Sequence, residues 1–319
     1  MKIGIPKALY YYEYPVLFKT FFEALGIEVV LSDDTNKKVV EDGISKSIDE
    51  ECLASKIFLG HVNNLVDRTY SEDIDYIFIP RLCTFKDKKT ICVKFYALYD
   101  ICNNVFDAKF ITLNIDYEKG QNELKAFLSL GKKLNKGIRE TASAYLLAKK
   151  AQKEYDIAKF KEQKNKLNSS KNLKILIVSH PYIYNDKHLG KIIKNYLEKL
   201  NIDVFYADIN SSGIKKDEFK KMKYKNISKS IYWKQSIDLL NGVEEYLNNI
   251  DGIIYLSVFP CGTDSLVNEL SIRRVKKVPS MNIILDEEDG MAGIYTRLES
   301  FADILESKLE RKKIEYARG

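Results

Sequence analysis

The sequence predicts an α/β protein made of two repeated Rossmann or flavodoxin-like domains with parallel sheets, joined by a Lys-rich helical linker. Short apolar runs rich in β-branched residues alternate with longer amphipathic stretches, which is typical of a parallel sheet covered by helices. The same order of runs recurs in the second half of the chain. A length of 319 residues also suggests two domains, because a domain commonly holds about 100 to 200 residues.

Each half contains four predicted strands, which are short apolar runs bounded by turn residues. They cover residues 2–5, 27–31, 76–80 and 110–114 in the first half, and 174–179, 204–207, 252–258 and 281–285 in the second. Apolar residues spaced three and four apart predict the helices. These cover residues 14–25, 53–67 and 92–104 in the first half, and 187–200, 232–248, 263–273 and 294–310 in the second.

Three segments of the first half have matching segments in the second. Residues 2–6 correspond to 174–178, residues 25–29 to 200–204, and residues 74–78 to 250–254, at offsets of 172, 175 and 176. We therefore predict an N-terminal domain over 1–118, a helical linker over 119–172 and a C-terminal domain over 173–319. Because open parallel sheets bind ligands at the carboxyl ends of their strands, we expect the domains to face a shared interdomain cleft.

The net charge of +6 is concentrated around the linker. Residues 121–173 hold 13 Lys and Arg against 5 Asp and Glu, an excess of +8, so the remainder of the chain carries −2. No stacking aromatics are interleaved with these charges, which favours a solvated amphipathic helix over a nucleic-acid surface. The sequence has no apolar run of about 18 residues, so we expect neither a nucleic-acid nor a membrane partner.

Familiar catalytic motifs are absent from the sequence. It has no G-x-x-x-x-G-K-[ST] loop and no G-x-G-x-x-G after the first strand, so nucleotide hydrolysis by this chain is not expected. The three histidines form no spaced zinc-binding pair. We expect His61 and His188 to be ordinary surface or interhelix residues, and His180, which directly follows a strand, to lie near the cleft.

The five cysteines are the most informative residues. An odd number of dispersed cysteines, in a chain that begins with a strand rather than a signal peptide, predicts a reducing, cytoplasmic location. Cys52 and Cys92 open predicted helices. Cys83 and Cys261 follow the third strand of each half, so all four thiols are expected on the strand-end side. Cys102 lies within a helix and is expected to be a buried structural thiol.

These thiols could be metal ligands or inert side chains. A helix N-terminus lowers a thiol pKa and favours the thiolate that metals need. No local pair of the zinc-knuckle type exists, and single thiolates from distant loops suit an iron-sulfur cluster better. Spacing alone leaves open a second interpretation, a cluster-free two-domain α/β protein that binds a small anionic ligand or serves as a scaffold for a partner protein.

Several ordered motifs span both halves of the chain. They are Ile3-Gly4-Ile5-Pro6-Lys7-Ala8-Leu9-Tyr10, Cys52-Leu53-Ala54-Ser55-Lys56 with Gly60-His61-Val62, Phe78-Ile79-Pro80-Arg81 with Cys92-Val93-Lys94-Phe95, Pro260-Cys261-Gly262-Thr263-Asp264-Ser265 with Leu285-Asp286-Glu287, and Gly293-Ile294-Tyr295-Thr296-Arg297-Leu298-Glu299-Ser300-Phe301. Together they resemble the 2-hydroxyacyl-CoA dehydratase superfamily, most closely its activase-related, short single-chain branch. The likeness extends almost end to end and is weakest over about 120–170.

The resemblance implies a [4Fe-4S] cluster between two α/β domains, with Cys52, Cys92 and Cys261 as its ligands. One branch of the superfamily has a sulfide-bridged double cubane, [8Fe-9S], but three or four candidate thiols favour the single cubane. The resemblance also implies a separate ATP-dependent activator of the actin-like kinase class, which delivers low-potential electrons. The expected substrate is an acyl-CoA or another small molecule, and the expected role is that of an oxygen-sensitive reductase or dehydratase component.

The sequence departs from the family pattern at two positions. Val93 stands where the family commonly has proline, and Cys83 is an additional thiol that could be a fourth ligand. A fourth thiolate would close the open iron position that substrate chemistry needs, which would leave electron transfer alone. The chain also lacks the partner subunit of a heterodimeric dehydratase, so the CoA chemistry stays open, and a homodimer is a further expectation.

Four other residues could act near such a cluster. Asp264 and Ser265 follow Cys261, and they could cap its helix while nearby backbone N–H groups tune the potential. Lys7 and Arg81 end the first and third strands, where they could supply positive charge or simply be solvated.

Overall fold

The computed structural model describes residues 1–208, 231–287 and 290–318. Its internal contacts divide the chain into two compact units. Unit 1 comprises Met1–Ala158 with Tyr232–Gln235, and unit 2 comprises Lys159–Ile231 with Ser236–Gly319. Each unit contains a four-stranded parallel sheet with helical connections, which confirms the predicted α/β fold class. The division into 1–118, 119–172 and 173–319 stays a prediction.

Unit 1 alternates strands with helices. Its strands are β1 (Lys2–Ile5), β2 (Glu28–Leu31), β3 (Tyr76–Phe78), β4 (Arg81–Thr84), β5 (Phe110–Ile111) and β6 (Asn114–Asp116). Its helices are α1 (Tyr10–Glu13), α2 (Leu17–Ala24), α3 (Lys37–Ser45), α4 (Leu53–Asp67), α5 (Val93–Val105), α6 (Glu123–Lys133) and the first part of α7 (Ile138–Ser169). The main sheet has the order β2-β1-β3-β5 with parallel pairing, and β4 and β6 form a separate two-stranded sheet.

Unit 2 repeats this plan after the end of α7. Its strands are β7 (Leu173–Val178), β8 (Ile202–Tyr206), β9 (Gly252–Val258) and β10 (Ser280–Leu285). Its helices are α8 (Pro181–Tyr184), α9 (Gly190–Lys199), α10 (Lys234–Tyr246), α11 (Gly262–Arg274) and α12 (Met291–Arg318). The sheet order is β8-β7-β9-β10, again parallel throughout. All seven residues of β9 are buried, as expected for a parallel strand with both faces covered.

The two sheets pair their strands in the same register. Read in chain order, the four main strands of each unit have the spatial order second, first, third, fourth. The equivalent Cα pairs are Ile3 with Val29 and Ile3 with Tyr76 in unit 1, and Ile175 with Val204 and Ile175 with Gly252 in unit 2. These pairs differ by the sequence offsets 172, 175 and 176. The internal repeat that the sequence indicates is therefore present in the pairing of individual residues.

A carboxylate fixes the start of the first strand in each unit. Asp75 accepts a hydrogen bond from the backbone N–H of Lys2 at 2.7 Å, and Asp251 accepts one from the N–H of Lys174 at 2.9 Å. Each aspartate also donates its own backbone N–H to the carbonyl of the same lysine. The repeat thus extends to a reciprocal pair of hydrogen bonds.

Two predicted strands, 76–80 and 110–114, are each divided in the structure. The ladder continues across both breaks, because the N–H of Ile79 donates to Ile111 and the N–H of Arg81 donates to Leu113. Pro80 lies between these donors and has no N–H to contribute. The interruption at Pro80 therefore separates β3 from β4, and the sequence did not predict β4 as a strand.

Helix α3, which the periodicity did not predict, packs closely against α4. Asn36 caps its start by accepting the N–H of Val39 at 3.1 Å. A Cβ on Gly43 would lie 2.0 Å from the carbonyl oxygen of Lys56, and one on Gly60 would lie 1.8 Å from that of Val39. Both glycines are thus required for the close approach of the two helices.

The basic helix α7 is less solvated than predicted, because its lysines bind carboxylates in unit 2. Lys159 lies 2.5 Å from Asp208, and Lys166 lies 3.1 Å from Asp203. Lys164 forms a further ion pair with Glu245. No helix in the part of the chain that the structure describes is both long and apolar enough to cross a membrane.

Candidate functional site

Three of the five cysteines occupy the N-cap position of a helix. Cys52 precedes α4, Cys92 precedes α5 and Cys261 precedes α11, and none of the three side chains forms a cap hydrogen bond with its helix. None of the five cysteines is in a disulfide. Because a helix N-terminus favours negative charge, this position lowers the cost of ionising a thiol. The three cap cysteines are the same three that the resemblance selects.

Cys52 and Cys92 lie close enough to influence each other's charge. Burial raises the pKa of the Cys52 thiol, Ser55 acts in the opposite direction through its backbone N–H and hydroxyl, and negative charge on Cys92 raises this pKa further. Cys52 is buried, whereas Cys92 is partly exposed. Two thiolates that disfavour each other's ionisation in this way are stabilised by a shared cation.

Cys92 and Cys261 occupy equivalent positions in the two units. Each is the N-cap of a 13-residue helix that lies between the third and fourth main strands of its sheet. In unit 1, β4 and the following loop are inserted before this helix, so the two cysteines differ by 169 positions rather than 176. The structural counterpart of Cys261 is therefore Cys92 and not Cys83.

Cys83 has a different environment from the cap cysteines. It lies in β4, which pairs with β6, and Asp116 at the end of β6 accepts a hydrogen bond from the Thr84 hydroxyl at 2.6 Å. Burial raises the pKa of Cys83, and the neighbouring Asp116 carboxylate raises it further. Both effects favour the protonated thiol. Cys102 is fully buried in α5, and burial raises its pKa far above the ordinary range, as expected for a structural thiol.

Cys261 belongs to a polar cluster in unit 2. His180 Nε2 lies 2.9 Å from the Asp264 carboxylate, and its ring stacks on Tyr182 with centroids 5.0 Å apart. Burial alone would raise the pKa of Asp264, but His180 and a hydrogen bond with Cys261 lower it below its usual value. Asp264 thus holds the imidazole, and the Cys261 sulfur lies 3.2 Å from the Thr263 hydroxyl. The Ser265 hydroxyl donates to the Cys261 carbonyl.

Tyr10 in unit 1 is a candidate site residue to which the sequence analysis assigned no role. It follows β1 and is 3% exposed, and its hydroxyl oxygen is buried with no hydrogen-bond partner. Its ring packs edge-on against Phe95 in the first turn of α5, with centroids 6.4 Å apart. Burial raises the pKa of Tyr10, and negative charge on Tyr14, Cys92, Glu13 and Cys83, in decreasing order, raises it further. The hydroxyl therefore lies within electrostatic range of two cysteines.

The remaining predicted residues are held by other partners. Lys7 forms an ion pair with Asp34, and the Arg81 guanidinium lies 2.8 Å from Asp100 and over the ring of Tyr96. These contacts compensate much of the positive charge that the sequence suggested for the cluster.

His61 is fully buried, so the surface position considered for it is wrong. The hydroxyls of Ser32 and Thr35 bond its two ring nitrogens at 2.8 Å and 2.9 Å. His188 is exposed as expected.

A complete metal site is not formed within the described residues. Over 1–208, 231–287 and 290–318, no group of three or more His, Cys, Asp or Glu side chains is placed to hold a metal ion. Unit 1 contributes Cys52 and Cys92 to the predicted ligand set, and unit 2 contributes Cys261. The site residues Cys52, Cys92 and Cys261, with Cys83 as a fourth candidate, therefore stay a prediction.

Comparison with known proteins identified one family. The model of the CoA enzyme activase uncharacterised domain family (DUF2229) matches residues 2–209, which is more than half of the chain. A search of curated proteins found no match.

Among solved structures, the laminin-binding protein Lbp of Streptococcus pyogenes is similar at 10% identity, 95% coverage of this chain, 98% of that chain and a TM-score of 0.26. A mutant of the laminin-binding adhesin Lmb from Streptococcus agalactiae is similar at 11% identity and a TM-score of 0.29. The match covers 95% of this chain and 98% of that chain. Likeness at these TM-scores carries no argument about function.

Proposed function

Because the chain belongs to the CoA enzyme activase-related domain family, we propose that it is an oxygen-sensitive, cytoplasmic iron-sulfur redox protein related to 2-hydroxyacyl-CoA dehydratase components. It accepts low-potential electrons from an ATP-hydrolysing activator and passes them to an acyl-CoA or another small substrate. The observation that supports this proposal best is the N-cap position of Cys52, Cys92 and Cys261, two of which occupy equivalent positions in a repeat.

The proposed cofactor is a [4Fe-4S] cluster with these three thiolates as ligands. The residues fit such a group in their chemistry, because soft thiolates suit iron and sulfide, and each thiolate stands at a helix start that favours negative charge. The unpartnered Tyr10 hydroxyl near Cys92 is a further sign that a polar group is accommodated there. When bound, the cluster supplies one-electron transfer at low potential.

The surrounding residues hold and orient the thiolates. Thr263, whose hydroxyl lies 3.2 Å from the Cys261 sulfur, orients that sulfur, and the nearby Asp264 is fixed by His180. The Cys52 thiol donates to the Ser55 hydroxyl at 3.6 Å, and Ser55 partly offsets the rise that burial causes in the pKa of Cys52. Burial of Cys52 keeps water away from one side of the site.

The proposed partner is a separate activator of the actin-like kinase class. The chain has no phosphate-binding loop of its own, so the ATP that drives the electron to low potential must be hydrolysed elsewhere. We propose that a homodimer also forms, which size-exclusion chromatography with light scattering can test directly.

Anaerobic purification, followed by an iron and acid-labile sulfide count and an electron paramagnetic resonance spectrum, tests the cofactor. We expect about four irons per chain for one cubane, whereas about eight would indicate the double cubane. Replacing Cys52, Cys92 or Cys261 with Ala should remove most of the iron. Cys102→Ala is the matched control, because that thiol is buried in α5 but does not cap it, and it should retain the iron.

Two outcomes of this experiment change the ligand set or the proposal. If Cys83→Ala loses iron as Cys52→Ala does, Cys83 joins the ligand set and the cluster is closed to substrate. If the anaerobic protein is colourless and the three cap variants leave the reconstituted iron content unchanged, the proposed function is wrong.

A cluster-free binding or scaffold protein is the second candidate. One observation favours it: within the described ranges no three ligand side chains gather at one place. This candidate predicts saturable binding of a small anion or a partner protein that survives iron removal and exposure to air. Isothermal titration of iron-free protein with small carboxylates and phosphate distinguishes the two candidates.

A further inference from the structure

The two units differ at one equivalent corner, where the first strand ends beside the helix that a cysteine caps. At the offset of 172, Tyr10 of unit 1 corresponds to Tyr182 of unit 2. Counted from the cap cysteine, Phe95 in α5 corresponds to Asp264 in α11, since each is the third residue after its cysteine. Each corner thus contains one tyrosine after the strand and one side chain from the first turn of the helix.

In unit 2 this corner contains a hydrogen-bonded ion pair. The Asp264 carboxylate accepts from His180, whose ring stacks on Tyr182, and the Cys261 sulfur lies 3.2 Å from the Thr263 hydroxyl. His180 and Asp264 are both buried, so their hydrogen bond compensates part of the desolvation of the two side chains.

Unit 1 has neither member of this pair, because Ala8 stands at the position of His180 and Phe95 at that of Asp264. Phe95 stands where unit 2 has Asp264, and its ring edge contacts Tyr10 without offering a hydrogen-bond acceptor. The Tyr10 hydroxyl is buried and has no partner among the described residues. An unpartnered buried hydroxyl is costly, and protein interiors rarely contain one unless a ligand or water completes it.

Tyr10 packs beside the start of the helix that Cys92 caps. Its ring packs on the first turn of α5, directly after Cys92, and negative charge on Cys92 or Cys83 raises the pKa of Tyr10. Cys92 in turn acts on Cys52. The buried Tyr10 hydroxyl, which has no partner in the part of the chain that the structure describes, thus stands beside the N-terminal turn of α5 that follows Cys92.

We infer that the Tyr10 hydroxyl donates a hydrogen bond to the iron-sulfide group held by Cys52 and Cys92, either at a sulfide or at a ligand sulfur. This inference rests on the proposed function and deepens it, because it assigns a positioning residue to the same site. Donation of a hydrogen bond to the sulfurs stabilises the reduced, more negative state of the group, so Tyr10 raises its reduction potential. No covalent step is involved.

Tyr10→Phe tests the inference, because it removes the hydroxyl and keeps the ring against Phe95. In the metal-free full-length protein, we expect this variant to raise the thermal midpoint, since it deletes a buried group that has no partner. In the anaerobically reconstituted protein, we expect unchanged iron and sulfide counts, a midpoint potential shifted to more negative values and altered g-values.

Tyr145→Phe is the matched control in unit 1. Tyr145 is also buried, but its hydroxyl bonds Lys149 at 3.2 Å. The control should lower the thermal midpoint of the metal-free protein and leave the potential at the wild-type value.

The outcomes separate the inference from the proposed function. If the wild type binds iron and sulfide but Tyr10→Phe has the wild-type potential, the inference is wrong and the proposed function stands. If Tyr10→Phe lowers the thermal midpoint of the metal-free protein as Tyr145→Phe does, the hydroxyl has an internal partner and the inference is also wrong. If the wild type binds no iron on reconstitution, both the inference and the proposed function are wrong.

Discussion

Lowering the pH should destabilise the protein through the buried imidazole of His61. Burial, with a smaller contribution from the Lys7 ammonium, lowers the pKa of His61 to about 4, from an ordinary value near 6.5. Both ring nitrogens are bonded by hydroxyls, those of Ser32 and Thr35, which suit the neutral ring. The folded protein therefore takes up this proton only near pH 4, whereas the unfolded chain takes it up near pH 6.5.

The magnitude follows from the difference between these two values. Above about pH 6.5 neither state is protonated, and the free energy of unfolding is unaffected by His61. As the pH falls through the window from about 6.5 to 4, the unfolded state binds the proton first, so the folded state loses stability. The loss reaches about 2 kcal/mol at pH 5 and about 3 kcal/mol below pH 4. Such a loss is a large part of the stability of an ordinary domain.

Urea unfolding of metal-free wild type and His61→Gln at about pH 7.5 and about pH 5 measures this effect. Glutamine can bond the same hydroxyls but does not titrate, so it should lose about 2 kcal/mol less than the wild type between the two conditions. His188→Gln replaces an exposed imidazole and should follow the wild type. Equal losses for the wild type and His61→Gln would show that the buried ring does not control the acid sensitivity.

Three further predictions concern the free energy of unfolding and use the same urea assay. Gly60→Ala should lower the free energy of unfolding by several kcal/mol, because the new Cβ would lie 1.8 Å from a carbonyl oxygen. Gly293 has open space around it, so Gly293→Ala should change this free energy by less than about 1 kcal/mol. Asp75→Ala and Asp251→Ala should each cost about 1 to 2 kcal/mol, and the second should cost more because its hydrogen bond is less exposed. If Gly60→Ala is as stable as the wild type, the close packing of α3 on α4 is contradicted. If both aspartate variants are neutral, the repeated hydrogen bonds at the first strands are contradicted. Asp264→Ala should cost about 3 kcal/mol by leaving a buried imidazole without its carboxylate, and a cost below about 1 kcal/mol would refute that pairing.

The sheets could be predicted from the sequence because their signal is local. Each main strand is a short apolar run, and a buried parallel strand needs nothing beyond such a run and its flanking turns. The repeat added the pairing, since matched segments at offsets 172, 175 and 176 must occupy matched places in two similar sheets. The predicted bounds of β9 agree with the structure at both ends.

Other features depend on contacts between residues distant in sequence. His180 and Asp264 are 84 positions apart, and nothing near either residue indicates that they pair. The amphipathic pattern around His61 does not show whether the side of the helix that carries His61 is covered. Its partners Ser32 and Thr35 lie just before α3, a helix that was not predicted. The equivalence of Cys92 and Cys261 could not be predicted for a similar reason, because an insertion after β3 shifts the repeat by several residues.

The equivalence of Cys92 and Cys261 bears on the origin of the chain. Both cap a 13-residue helix between the third and fourth main strands, in units that share strand order and register. Duplication of one ancestral unit that already had cysteine at this helix start is sufficient to account for both thiols. Cys52 has no such counterpart, since α10 begins at Lys234, directly after Trp233. The two copies thus share one thiol at equivalent helix starts and differ in the other cysteines around it, Cys52 and Cys83.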